Sequence, residues 1–102
     1  MVQTVRDSDN KAEVKPHGDI IASSADELRL ELKRLVAEGV SELTLNMTGV
    51  EVVDSIGLGL LISAHNSLAK AGGKLSVVNV SRDIQALLKN MRLDRHFAVS
   101  GA

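Results

Sequence analysis

The chain has 102 residues, 44% hydrophobic and 25% charged, with a formal net charge of −1. That is room for one domain, residues 1–102, with a modest core and the composition of an ordinary globular protein. It contains no cysteine, and its one aromatic is Phe97, so disulfides, thiolate chemistry and base stacking are excluded and the core must be aliphatic.

Basic and acidic residues are interspersed, with no basic stripe, which argues against a nucleic-acid partner. No apolar run approaches the about 20 residues of a membrane span, so no membrane insertion is expected. The opening residues, Met1-Val2-Gln3-Thr4-Val5-Arg6-Asp7, lack a charged-then-apolar leader pattern, and a cytoplasmic protein is the expectation.

Residues 2–6 are short and β-prone. Residues 7–11, Asp-Ser-Asp-Asn-Lys, are turn formers. Residues 12–17 partly alternate and read as a second strand, placed at or near a sheet edge because Pro16 cannot donate to a ladder. Together they predict an opening hairpin. Gly18-Asp19-Ile20-Ile21-Ala22 reads as a loop with unexpectedly apolar residues. Ser24 followed by Glu27 has capping-box spacing and predicts a helix start. Leu28, Leu32, Leu35 and Val36 mark its buried face, Leu30 falls off that stripe, and Gly39 ends it.

Leu43, Leu45 and Met47 alternate with Thr44, Asn46 and Thr48, the pattern of a strand with one apolar face. Thr48-Gly49 breaks it, and Val50, Val52 and Val53 lead to Asp54-Ser55. A second helix is predicted from about Ile56 to Ala71, with Gly57, Leu61, Ala64, Leu68 and Ala71 along one stripe and Leu60 beside it. Gly72-Gly73 terminates it. Residues 74–80 form the next strand. Ser81 opens a third helix with Ile84, Leu87, Leu88 and Met91 inward. Phe97 is expected to dock on the core, and residues 98–102 to fray. The order β-β-α-β-α-β-α predicts an α/β fold with a mixed, largely parallel central sheet of four to five strands.

Ser55 stands where a strand hands over to a helix. The first N–H groups of a helix have no intrahelical partners, and the helix dipole favours negative charge there. Ser55 can therefore be an N-cap, a nucleophile or a phosphate acceptor. The nucleophile reading fails on two counts. The nucleophile elbow needs Gly-x-Ser-x-Gly, and Val53 occupies the first glycine position. His65 lies ten residues along the same helix, about 15 Å away at the helical rise, beyond the reach of a triad. Gly57-Leu58-Gly59 lacks the third glycine of a dinucleotide loop, where Ile62 stands, and lacks the Lys-Ser/Thr of a phosphate-binding loop. His17, His65 and His96 are isolated from other ligating residues at metal spacing. Neither a catalytic group, a metal site nor a cofactor is expected.

With these residues in hand, the chain resembles the STAS-domain family, and within it the bacterial anti-sigma factor antagonists. Val53-Asp54-Ser55-Ile56-Gly57-Leu58-Gly59-Leu60 is similar to the family's Asp-Ser-x-Gly-Leu-Gly. Leu45-Asn46-Met47, Ala71-Gly72-Gly73-Lys74-Leu75 and Met91-Arg92-Leu93-Asp94-Arg95-His96-Phe97 also look like the family, so the likeness covers about residues 2–99. It implies a domain that binds an anti-sigma factor and so frees a sigma factor for transcription. The anti-sigma factor is commonly a serine protein kinase that phosphorylates the motif serine, here Ser55, and a metal-dependent serine phosphatase restores it. The partner-binding residues implied are Asp19, Ile20, Ile21, Ala22 and Ser23 in one loop and Asp54, Ser55, Ile56, Gly57 and Gly59 in the other. Two positions depart from the family: Ile56 follows the serine where Ser, Thr or Ala is common, and Ile21 stands where many members carry aspartate in Gly-x-Leu-Asp. A STAS scaffold or accessory subunit without phosphorylation is the alternative role.

Overall fold

The computed structural model describes residues 2–102. Strand β1 (Gln3–Arg6) and strand β2 (Lys11–Lys15) form the opening hairpin, closed by the Asp7 N–H donating to the Lys11 carbonyl at 2.9 Å. Helix α1 (Ala25–Ala37), strand β3 (Glu42–Asn46), helix α2 (Ser55–Lys70), strand β4 (Lys74–Val80), helix α3 (Arg82–Asn90), a short 3₁₀ turn (Leu93–Arg95) and strand β5 (Ala98–Gly101) follow. The five strands lie side by side in chain order, β1 antiparallel to β2 and every later pair parallel.

That order has a consequence for layering. Crossovers between parallel strands are right-handed, so strands laid successively in one direction carry α1, α2 and α3 to the same face. Burial along the strands agrees. Ala12 and Val14, Leu43 and Leu45, and Leu75 and Val77 are buried under the helices. Their alternates Glu13, Thr44 and Ser76 sit side by side in register on the opposite, partly exposed face. A parallel sheet covered on both faces would read as continuous apolar runs; this one alternates because it is covered on one. The bare face carries a row of charge, Lys11 and Lys74 flanking Glu42 at 3.7 and 3.5 Å. Such exposed pairs contribute little to stability.

The aliphatic core runs through all the layers as one cluster, from Ala12 and Val14 to Leu93 and Phe97. Leu28, Leu32 and Leu35 of α1 are buried, Val36 is half-buried and Leu30 is exposed, as their spacing predicts. Helix α1 is also tied to the edge strand: the Thr4 hydroxyl bonds Glu31, and Arg6 pairs with Glu38 at 2.8 Å.

Three expectations are corrected. Residues 98–101 do not fray; they form β5, pairing with β4 through Ser76↔Ala98 and Val77↔Val99. Four residues with only Val99 turned toward the core carry too little periodicity to announce a strand. The expectation for β2 holds: it lies next to the edge strand, and Pro16 follows Lys15, the last paired residue, so no ladder bond is asked of it. Ser24 does not cap α1 with its side chain; its hydroxyl donates to the Asp19 carbonyl at 2.6 Å and accepts the Ile21 N–H at 3.2 Å, turning the preceding loop on itself. Met91 and Ala71 lie just past their helices and are exposed, so neither joins an inner face.

Phe97 is buried and its ring centroid lies 5.8 Å from that of His65, joining the C-terminal segment to α2. Phe97→Ala is expected to cost about 3–5 kcal/mol, the range for truncating a buried aromatic, read as a lowered midpoint in urea with an unchanged slope.

Candidate functional site

At one end of the sheet two loops meet, residues 18–24 before α1 and residues 49–54 before α2. Backbone joins them first. Ile20 and Val53 form an isolated parallel bridge, the Ile20 N–H donating to the Val52 carbonyl at 3.0 Å and the Asp54 N–H to the Ile20 carbonyl at 3.3 Å. Two carboxylates then lock the pair in opposite directions. Asp19 reaches across to accept the N–H groups of Glu51 and Val52, both on Oδ1, at 2.9 and 3.0 Å. Asp54 reaches back to accept the Ala22 N–H on Oδ2 at 2.9 Å. Its other oxygen, Oδ1, accepts the Gly57 N–H at 2.9 Å and caps α2.

Asp54 is thus the N-cap, in the extended conformation caps favour. Helix α2 begins one residue earlier than its hydrophobic spacing predicts, and Ser55 is its first residue. The reading of Ser55 as a cap is corrected. Aspartate and serine are near-equal caps, and the choice between them was settled by the second loop, whose Ala22 N–H only the two-oxygen carboxylate can serve while capping. Ser55 is exposed, and among the described residues its hydroxyl makes no hydrogen bond.

Gly57 makes the geometry possible. A Cβ there would lie 2.2 Å from the Ile20 carbonyl oxygen and 2.8 Å from Val53 Cγ1. The first turn of α2 rests directly on the bridge between the loops. Gly59, two residues on, meets no such neighbour and is exposed.

The ten residues assigned to a partner surface divide accordingly. Asp19, Ala22, Ser23, Ser55, Ile56 and Gly59 are exposed, and Ile21 and Asp54 are half-buried. Ile20 is 1% exposed and Gly57 is buried, so neither presents a side chain outward; both support the rim from below. Of the apolar loop residues, Val50 and Val53 are buried while Val52 is 50% and Ile56 45% exposed. One exposed residue was missed. Ile62, read only as the absent third glycine, is on the surface of α2 seven positions after Ser55. The i, i+4, i+7 spacing puts Ser55, Gly59 and Ile62 on one stripe, a signal present in the sequence.

The three histidines stay elsewhere. His17 bonds Gln3 at 2.7 Å, and His65 and His96 face each other with ring centroids 5.8 Å apart. Among the described residues, no helix is long and apolar enough to cross a membrane.

The electrostatics of the site centre on Asp54. The Gly57 N–H bond, assisted by the Ala22 and Ile56 amides, holds its carboxyl below the ordinary value of 3.8, against a smaller opposing effect of burial. It is therefore ionised at neutral pH, and it already occupies the positive end of α2.

Comparison with known proteins places this arrangement. The family model described as STAS domain matches residues 3–101. The anti-sigma-B factor antagonist of Bacillus subtilis strain 168 is 31% identical over 97 residues, which are 95% of this chain and 80% of the relative. An anti-sigma factor antagonist from Mycobacterium paratuberculosis superimposes with a TM-score of 0.83 at 24% identity, over all of this chain and 87% of that one. The Bacillus anti-sigma factor antagonist SpoIIAA has been solved unphosphorylated and phosphorylated, with TM-scores of 0.84 and 0.79 at 15% identity, over 97% of this chain and 87% and 90% of theirs.

Two outcomes are expected from this geometry. Gly57→Ala forces a methyl group against the Ile20 backbone and should destabilise the fold by about 1–3 kcal/mol, as overpacking does, measured by denaturant unfolding. A carboxyl depressed in the folded state adds stability that is complete above its ordinary value of 3.8 and is lost as pH falls below it through the folded value. Asparagine keeps the cap but cannot titrate, so Asp54→Asn should lose less stability than the natural protein on acidification through that window, measured by thermal unfolding across pH.

Proposed function

The chain belongs to the STAS domain family, and on that premise we propose that it is an anti-sigma factor antagonist controlled by phosphorylation of Ser55. As a single cytoplasmic domain it binds an anti-sigma factor in the unmodified state and so releases a sigma factor for transcription. The anti-sigma factor is the serine kinase, and a serine phosphatase reverses the modification. The observation that carries this reading is the free hydroxyl of Ser55, exposed on a platform that does not need it. Asp54 caps the helix, so modification of Ser55 costs the fold no hydrogen bond.

The switch follows from charge. A phosphate adds about −1.5 to −2 at neutral pH, beside an Asp54 already held ionised. Asp54 also occupies the Gly57 N–H of the first turn, so that donor is not available to neutralise the phosphate. The added charge therefore faces outward, among Val52, Ile56, Gly59 and Ile62. A partner that packs on those residues must desolvate it, at a cost of about 2–5 kcal/mol for a stranded interfacial charge. At 1.4 kcal/mol per decade that weakens binding by roughly 30-fold or more. No change of shape is required.

The test uses the purified chain, a candidate anti-sigma factor kinase, and labelled ATP, with mass mapping of the product. Phosphate is expected on Ser55 alone. Ser55→Ala should bind the partner without accepting phosphate, and Ser55→Asp should unfold at nearly the same temperature as the natural protein while binding roughly 30-fold more weakly. Equal binding by both variants would sink the switch. A phosphate mapped to another residue would sink the assignment of Ser55.

A further inference from the structure

Helices α1 and α2 do not close on each other along their whole length. Between them lies a half-open cleft of about 230 Å³. Its floor is Leu32, Leu43, Leu60 and Leu68, all buried. It stays open because α2 presents Ser63, Ala64 and Ser67 toward it, side chains too short to reach α1. Only two charged residues line it, Arg29 and Lys33, both cations.

The charges on α1 separate these two. Arg29 is paired with Asp26, and Arg34, outside the cleft, is shared between Glu31 and Glu38 at 2.7 and 2.9 Å. Among the described residues Lys33 has no ion pair. An apolar slot with an uncompensated ammonium at its mouth and no carboxylate in its wall is complementary to an anion that carries a hydrocarbon chain. Ligand sites have this build, mostly apolar with a few placed polar groups. The slot has the size for one chain rather than for the row of side chains that a docking helix presents.

We propose that this cleft binds an acidic single-chain amphiphile of the fatty-acid class, with its chain on the four leucines and its carboxylate on Lys33. The hydroxyls of Ser63 and Ser67 lie within the same wall to share the headgroup. The site is distinct from the Ser55 surface, but Ser63 is one turn along α2 from Gly59, so the bound headgroup would border that surface.

The experiment is a titration of the ¹⁵N-labelled full chain with decanoate, and in parallel with decanol, followed by amide shifts. Saturable shifts are expected on Leu32, Val36, Leu60 and Ala64 with decanoate, and clearly weaker binding of decanol. Lys33→Glu, an exposed change that leaves the core untouched, should weaken decanoate by about tenfold or more. Ala64→Leu, which fills the slot, should block it. Equal affinity for decanol, no effect of Lys33→Glu, or shifts confined to Val52, Ile56 and Ile62 would each overturn the proposal. So would failure of decanoate together with saturable binding of an acidic amphipathic peptide, which would give the cleft to a protein partner.

Discussion

The carboxylate of Asp54 is the interaction on which the functional end of this molecule depends. One oxygen starts α2 and the other holds the loop that starts α1. A neutral cap such as serine could do the first alone. The second requires another acceptor at the same place, pointing the opposite way. Around that carboxylate the rest is close contact: the Ile20–Val53 bridge below it, the Asp19 carboxylate answering from the other loop, and Gly57 lying against the Ile20 carbonyl. Each element excludes a freedom of the others. The bridge sets the spacing of the loops, that spacing puts Ala22 within reach of Asp54, and the absence of a side chain at residue 57 lets the helix descend onto the bridge.

This arrangement separates two duties that a serine at a helix start would otherwise combine. If Ser55 were the cap, adding a phosphate to its oxygen would remove the hydrogen bond that begins the helix, and modification would be felt as instability. With Asp54 capping, Ser55 is the first residue of the helix and its oxygen is free. The helix N-terminus still attracts negative charge, yet Asp54 already stands there, its carboxyl held below its ordinary value chiefly by the Gly57 N–H. A second negative group there stands beside an ionised carboxylate. Under the proposed function, the feature that spares the fold from modification is also the one that leaves the added charge for a partner to meet.

Much of the fold was legible because the core is aliphatic and periodic. The leucines of α1 and the alternation of β3 name their buried faces without help from tertiary contacts, and three βα crossovers in succession leave few topologies. The site was legible in part, for a different reason. Burial follows periodicity, but hydrogen-bond partnership between loops does not. Nothing local distinguishes Asp54 from Ser55 as the cap, and nothing local says that Ser24 will serve Asp19 rather than its own helix. Both choices were made by residues about 5 and 32 positions away. Asp19 was expected at a partner surface; it is exposed, and its carboxylate also braces residues 51 and 52, which nothing in its local sequence announces. Strand β5 escaped notice because its stability comes from pairing with β4 and not from its own four residues.

The one-sided layering decides where interaction surfaces can be. With every helix on one face, the opposite face of the sheet is a polar, cross-paired surface of Lys11, Glu42 and Lys74, offering little apolar area. Three of the six large exposed apolar residues, Val52, Ile56 and Ile62, lie at or on α2; Val5, Leu30 and Met91 are exposed elsewhere. Helix α2 consequently works on three sides. Leu60, Leu61 and Leu68 hold it in the core, the stripe through Ser55, Gly59 and Ile62 faces solvent, and Ser63, Ala64 and Ser67 leave a gap toward α1. Small residues recur along this helix because large ones would close either the contact with Ile20 or the cleft with α1. Gly59 is the informative exception. It meets no neighbour, sits in a helix interior and is about 1 kcal/mol worse than alanine there. Packing gives no reason for it.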